Sequence, residues 1–247
     1  MEQSFQLTFA NGRTAQAIHL QRDADLPDAL NQLGLQGPGP VLVVVGGASK
    51  LSDADRRRVQ ALFVKVLAPL AKDMKTFVVD GGTDAGIMKL MGEARTQINA
   101  SFPLIGVAPI GLATLPNASN ASDEASLLEP NHTHFALVPG SSWGDESPWI
   151  AKIASTLADS QPSIVILING GEVTWKDASQ NIQEGRPVVV IAGSGRTADV
   201  LAAVLRGKAT DQRAEDLISS GLVQAIDLTT DFRTLFKKIK QAFLAKE

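Results

Sequence analysis

Four apolar runs that each end in a glycine turn constrain this chain more than any other feature. Residues 41–45 (VLVVV) lead into Gly46-Gly47-Ala48-Ser49, and 77–80 (FVVD) into Gly81-Gly82-Thr83-Asp84-Ala85-Gly86. Residues 165–169 (VILIN) lead into Gly170-Gly171, and 188–192 (VVVIA) into Gly193-Ser194-Gly195-Arg196. A short continuous apolar run reads as a strand buried on both faces. Glycine just beyond it permits a sharp turn and close approach to a ligand. A helix starting there aims free N–H groups at the turn, which favours anions. Four such turns at the carboxyl ends of strands predict one crevice suited to a nucleotide-like anion.

Composition narrows the function. The chain has 247 residues, 44% hydrophobic and 20% charged, enough for a sizeable core. A net charge of −3 disfavours general nucleic-acid binding, which needs clustered Lys and Arg. The absence of cysteine excludes disulfides, thiol catalysis and thiolate zinc sites. No apolar run approaches the ~20 residues needed to span a bilayer, and the first residues carry no signal-peptide core. The expectation is a cytoplasmic protein without a membrane or nucleic-acid partner.

Residues 4–9 and 14–20 alternate around Asn11-Gly12, a hairpin signal. Residues 23–40 read as a polar connector with one helical turn. Residues 1–40 are therefore expected to pack as an addition on a main domain spanning 41–247. Strands are predicted at 41–45, 76–79, 104–108, 134–138, 164–168, 188–191 and 222–226. Helices are predicted at 53–72, opened by a Ser52/Asp55 capping box, and at 84–98, 147–159, 174–184, 197–206, 211–219 and 230–245. Residues 109–131 read as a long loop. This alternation predicts an α/β fold with a doubly wound, mostly parallel sheet flanked by helices. Ligands bind such sheets beyond the carboxyl ends of the strands, where the strand order reverses.

The motifs supply candidate roles, each beside a structural alternative. Gly81, Gly82 and Thr83 offer backbone and hydroxyl donors, and Gly86 lets the helix pack closely or admits a ligand. The alternative is a tight βα turn with Thr83 or Asp84 as cap. Arg196 opposes the helix dipole at a helix start, which is favourable if an anion lies between them. Asp199 takes ribose hydroxyls or caps the helix. Gly170, Gly171 and Thr174 form a third cradle, and Gly46, Gly47, Ala48 and Ser49 a fourth. Neither matches a Walker A loop nor a strict G-x-G-x-x-G. His132 and His134 would share a strand face; with His19 as the only other histidine, no metal site is assigned. A polar contact to ligand, or an anchor for the long loop, is the expected role. Trp143 is placed to stack on an adenine or to fill partly buried core.

The segments VVGGAS (44–49), VDGGTDAGIMKLMGEA (79–94), IGVAPIG (105–111), EPNHTHFALV (129–138), INGGEVT (168–174) and GRPVVVIAGSGRTADVLA (185–202) together resemble the SLOG superfamily. The closest resemblance is to its LSDAT branch, found at the cytoplasmic N-terminus of melastatin-type TRP channels and as prokaryotic proteins. It covers roughly residues 40–205 and implies a stand-alone prokaryotic form with a Rossmann-like fold. The function it implies is binding or sensing of a nucleotide derivative, ADP-ribose-like or NAD-derived, with no required cofactor. The family's phosphate-contacting turns carry over to Gly81, Gly82 and Thr83, and to Gly193, Ser194, Gly195 and Arg196. Ala108, in IGVAPIG, and His134 join the implied ligand-facing set. An ADP-ribose-binding channel relative also uses an arginine in the helix after the HTHF strand. Here residues 143–156 hold only Lys152 as a cation. A second branch, the LOG-type phosphoribohydrolases, carries P-G-G-x-G-T-x-x-E. The matching stretch here puts Asp177 at the catalytic glutamate's position, with Glu172 as the other candidate acid. Three readings follow: a ligand-binding domain, a hydrolase of a nucleotide N-glycosidic bond, and an interaction scaffold with a vestigial pocket. Self-association through helical faces stays open.

Overall fold

The computed structural model describes residues 3–47, 52–116, 118 and 124–245. Two short strands, β1 (Phe5–Thr8) and β2 (Thr14–His19), form the antiparallel hairpin around Asn11-Gly12. A 3-10 turn and helix α1 (Leu26–Gln32) follow, so the connector carries more helix than one turn. Then the alternation begins: β3 (Val41–Gly46), α2 (Asp53–Leu62), α3 (Ala68–Met74), β4 (Phe77–Asp80), α4 (Gly86–Gln97) and β5 (Leu104–Pro109). Helices α2 and α3 join through a π-helical stretch at Phe63–Leu67, so the predicted 53–72 helix is continuous but locally widened. Ser52 caps it by accepting the Asp55 N–H at 3.2 Å.

The predicted long loop holds two short strands, β6 (Ala113–Thr114) and β7 (Ser126–Leu127), which pair parallel. The chain continues through β8 (His134–Val138), α5 (Ser147–Ala158), β9 (Ser163–Ile168), α6 (Glu172–Gln183), β10 (Val188–Ala192) and α7 (Arg196–Leu205). It reaches α8 (Gln212–Ile218), β11 (Val223–Asp227) and α9 (Phe232–Leu244).

Nine strands form one sheet in the order β1-β2-β8-β5-β4-β3-β9-β10-β11. Every pairing is parallel except β1 with β2; the hairpin joins the sheet through β2 against β8. The alternation of side chains sends Val41, Val43 and Val45 into the core under α1, α5, α6, α7 and α8. Leu42 and Val44 enter the opposite core under α2, α3, α4 and α9. This is the doubly wound, Rossmann-like arrangement. The chain runs outward from β3 through β4 and β5 to β8, then returns to place β9 on the other side of β3. The order therefore reverses between β3 and β9. The four glycine turns follow β4, β3, β9 and β10, four adjacent strands. At ~4.8 Å per strand they line about 14 Å of one sheet edge. No described helix is long and apolar enough to cross a membrane.

Candidate functional site

A cavity of about 460 Å³ opens at that edge. Gly46 and Gly81 form its floor with Val44 and Val45, and Thr83 and Met88 one wall. Ile150 of α5 and Val173, Thr174 and Asp177 of α6 form the other. Residues 124–126 and Trp143 close over it, tied together where the indole Nε1 donates to the Glu124 carbonyl at 3.2 Å. Gly46 is required here: its φ is +127°, and a Cβ would stand 1.9 Å from the Ile168 carbonyl oxygen.

The expected residues separate into three groups. Gly46, Gly81, Thr83, Trp143, Thr174 and Asp177 line the cavity. A second group frames it. Gly47 donates to the Ile168 carbonyl, and Gly82 to Asp80 Oδ1 at 2.8 Å. Gly170 donates to Asn169 Oδ1 at 2.8 Å, and Gly171 to Thr174 Oγ1 at 3.1 Å. Gly193 donates to Asp199 Oδ1 at 2.6 Å, so Asp199 braces the turn before α7, whose N-cap Gly195 makes no side-chain cap bond. Buried Ser194 accepts the Asn169 N–H at 2.7 Å and donates to the Ile191 carbonyl. These donors, expected to cradle phosphate, are committed to holding the turns in shape. Gly195 and Arg196 begin α7, and Gly86 opens α4 beside the lining residue Ala85. Arg196 adopts φ +50°, a left-handed conformation uncommon for its type. Its guanidinium lies against Gly171, 3.0 Å from where a Cβ would stand.

The third group lies elsewhere. Lys152 pairs with Asp23 on the protein surface, because two positions along α5 from Ile150 turn it to the far side. His134 opens β8, at the end of that strand away from the crevice, and its Nδ1 lies 2.7 Å from Thr133 Oγ1. Burial pushes its pKa down to about 4, keeping the ring neutral. Ala108 packs with Phe9, Ala17 and Phe135 in the core beneath the hairpin. Glu172 is exposed and pairs with Arg213 at 3.0 Å, five residues and most of half a helical turn away from the face of Asp177. Ala48 and Ser49 lie outside the described residues.

His132, read beside His134, is the buried one. Its Nδ1 lies 2.7 Å from Glu129 Oε2 and its Nε2 2.8 Å from Asp80 Oδ1. Burial disfavours the imidazolium, but Asp80 and Glu129 outweigh it and hold the pKa at about 9. Because Asp80 also receives the Gly82 N–H, this triad anchors the Gly81-Gly82 turn to the segment after β7. The histidine thus serves as the anchor for the long loop.

Sequence reasoning missed Glu146. It is buried beside Ser147 at the start of α5 and borders the cavity, with Oε2 accepting the Gly144 N–H at 2.7 Å. Burial raises its pKa. Ser147 Oγ donates to Asp177 Oδ1 at 2.6 Å. Burial pushes Asp177 up to about 7, against the pull of the Ser147 hydroxyl and with the charge of Glu146 adding to the rise. The available signal was positional: Glu146 stands at a strand-to-helix junction on the same edge as the glycine turns.

A sequence profile for the family described as "SLOG in TRPM, prokaryote" matches residues 39–236 of the 247. Rat transient receptor potential cation channel subfamily M member 2 is 27% identical over 206 residues, covering 69% of this chain and 14% of its own. A member-like 2 channel protein from Nematostella vectensis is 28% identical over 209 residues, covering 70% and 13%. Human subfamily M member 7 is 22% identical over 254 residues, covering 88% and 14%. The chain thus spans about a seventh of the length of these relatives. With the profile matched from the connector before β3 into α9, over most of its length, the chain belongs to the prokaryotic SLOG family related to the melastatin-type TRP channels.

Proposed function

We propose that this protein binds a small nucleotide derivative, ADP-ribose-like or NAD-derived, in the crevice at the carboxyl ends of β4, β3, β9 and β10. The observation that carries the reading is the cavity of about 460 Å³ at the strand-order reversal. A crevice at that position is where doubly wound sheets take ligands. Arg196 supports the phosphate end of the reading: a guanidinium beside the N-termini of α6 and α7 adds full charge to two helix dipoles. The relatives' names describe cation channels, of whose length this chain matches about a seventh.

Calorimetry with ADP-ribose, NAD, cyclic ADP-ribose and AMP tests this. At least one binds, and Arg196→Ala weakens it about 10-fold or more, the worth of a charge-assisted hydrogen bond. No binding to any of the four, or an Arg196→Ala variant equal to wild type, contradicts it.

A second reading rests on Asp177, a cavity carboxyl whose pKa of about 7 suits general acid–base work. On that reading the protein cleaves an N-glycosidic bond of a nucleotide. Base release from nucleoside monophosphates, absent in Asp177→Asn, would establish it.

A further inference from the structure

Building on the binding reading above, we propose that the Glu146–Asp177 end of the cavity is a subsite for the hydrogen-bond-donating end of the ligand: the exocyclic amine of a base, or the vicinal hydroxyls of a ribose. The phosphate end then lies toward Arg196.

Three observations converge. First, Asp177 is only 7% exposed yet borders the cavity. Its Oδ1 is held by Ser147, whereas Oδ2 takes no hydrogen bond from the described residues. A carboxyl oxygen at a cavity wall with no protein donor is available to accept from a ligand donor in place of water. Second, the charged residues lining the described cavity are Glu124, Glu146 and Asp177, with no Lys or Arg among them. A phosphate placed there would meet carboxylates across a low-dielectric gap, which is repulsive. Lys176 of α6 acts on both carboxyls from outside the lining, whereas Arg196 stands over Gly171, at the β9–β10 side. Third, the carboxyls are set among Val45, Ile150 and Val173 with Trp143 at the mouth, surroundings that favour a flat, weakly hydrated group with donors on its edge. The lining itself presents carboxyls and no cation, with Arg196 toward β10, so a ligand with one anionic end and one donor end fits in a single direction.

Calorimetry on the full chain with three probes tests the subsite. ADP-ribose is compared with inosine diphosphate ribose, whose 6-oxo group accepts where adenine's amine donates, and with 2′-deoxy-ADP-ribose. Wild type should bind at least one analogue 10-fold or more weakly than ADP-ribose. That ratio should fall below about 3-fold in Asp177→Asn and in Glu146→Gln, two variants that replace a carboxyl by an amide of nearly the same size and whose folding is checked by thermal melting. A loss confined to the inosine form assigns the donor to the base; one confined to the deoxy form assigns it to the ribose. Equal affinity for all three probes overturns the subsite and leaves the binding reading standing. Absence of binding by all three overturns the subsite, and the binding reading falls with it only when NAD, cyclic ADP-ribose and AMP also fail to bind.

Discussion

His132 is wholly enclosed between two carboxylates, 2.7 Å from Glu129 and 2.8 Å from Asp80. Removing one partner from such a group leaves uncompensated charge inside the protein. His132→Leu should therefore lower stability by about 3–5 kcal/mol at pH 7, read by urea unfolding. The folded pKa of about 9 lies above the ordinary 6.5, so the imidazolium's contribution is complete below pH 6.5 and is lost as pH rises through 9. Wild-type stability should fall between pH 7 and 9.5, and the variant should show a shallower fall. Parallel slopes would contradict the assignment. None of this is visible in NHTHF as letters. The motif marks two histidines at strand spacing, and only the fold shows that one is clamped by an aspartate 52 residues away. Glu146 was hidden for a related reason, and for Asp177, placed by the resemblance at an acid's position, the burial was hidden: burial belongs to the packing of α5 against α6.

The strands were legible because buried parallel strands tolerate little but apolar side chains. Each predicted strand after residue 40 appears within a residue or so, and the glycine turns fall at their carboxyl ends. The turns' inner wiring was not legible. Asp80, Asn169, Thr174 and Asp199 take up N–H groups that the sequence left free, which makes the turns rigid walls more than phosphate cradles. The β6–β7 pair escaped because two-residue strands carry no periodicity. Rigidity of this kind has a measurable cost. Gly46→Ala places a methyl on the Ile168 carbonyl at a φ of +127°, so it should cost at least about 3 kcal/mol in chemical denaturation. Gly185→Ala, at φ +72° with nothing within 4 Å, should cost only about 1 kcal/mol. Equal costs at the two sites would mean that β3 and β9 do not meet as described.

At the scale of the whole molecule, the sheet order brings together turns that are up to about 150 residues apart in sequence. Its reversal between β3 and β9 opens the crevice, α5 and α6 bring their carboxyls to one end of it, and α7 brings Arg196 to the other. Topology of this sort was expected from βα alternation, but the exact pairing of β2 onto β8, which makes the hairpin an edge of the same sheet, was not. The central claim is that this edge holds a nucleotide derivative. Amide hydrogen exchange with and without ADP-ribose tests it most directly. Protection should rise at residues 81–85, 171–174 and 195–197 and stay unchanged at residues 239–244 of α9, which packs on the sheet face opposite α5 and α6. Binding without added protection at those turns, or with protection centred elsewhere, would contradict the account.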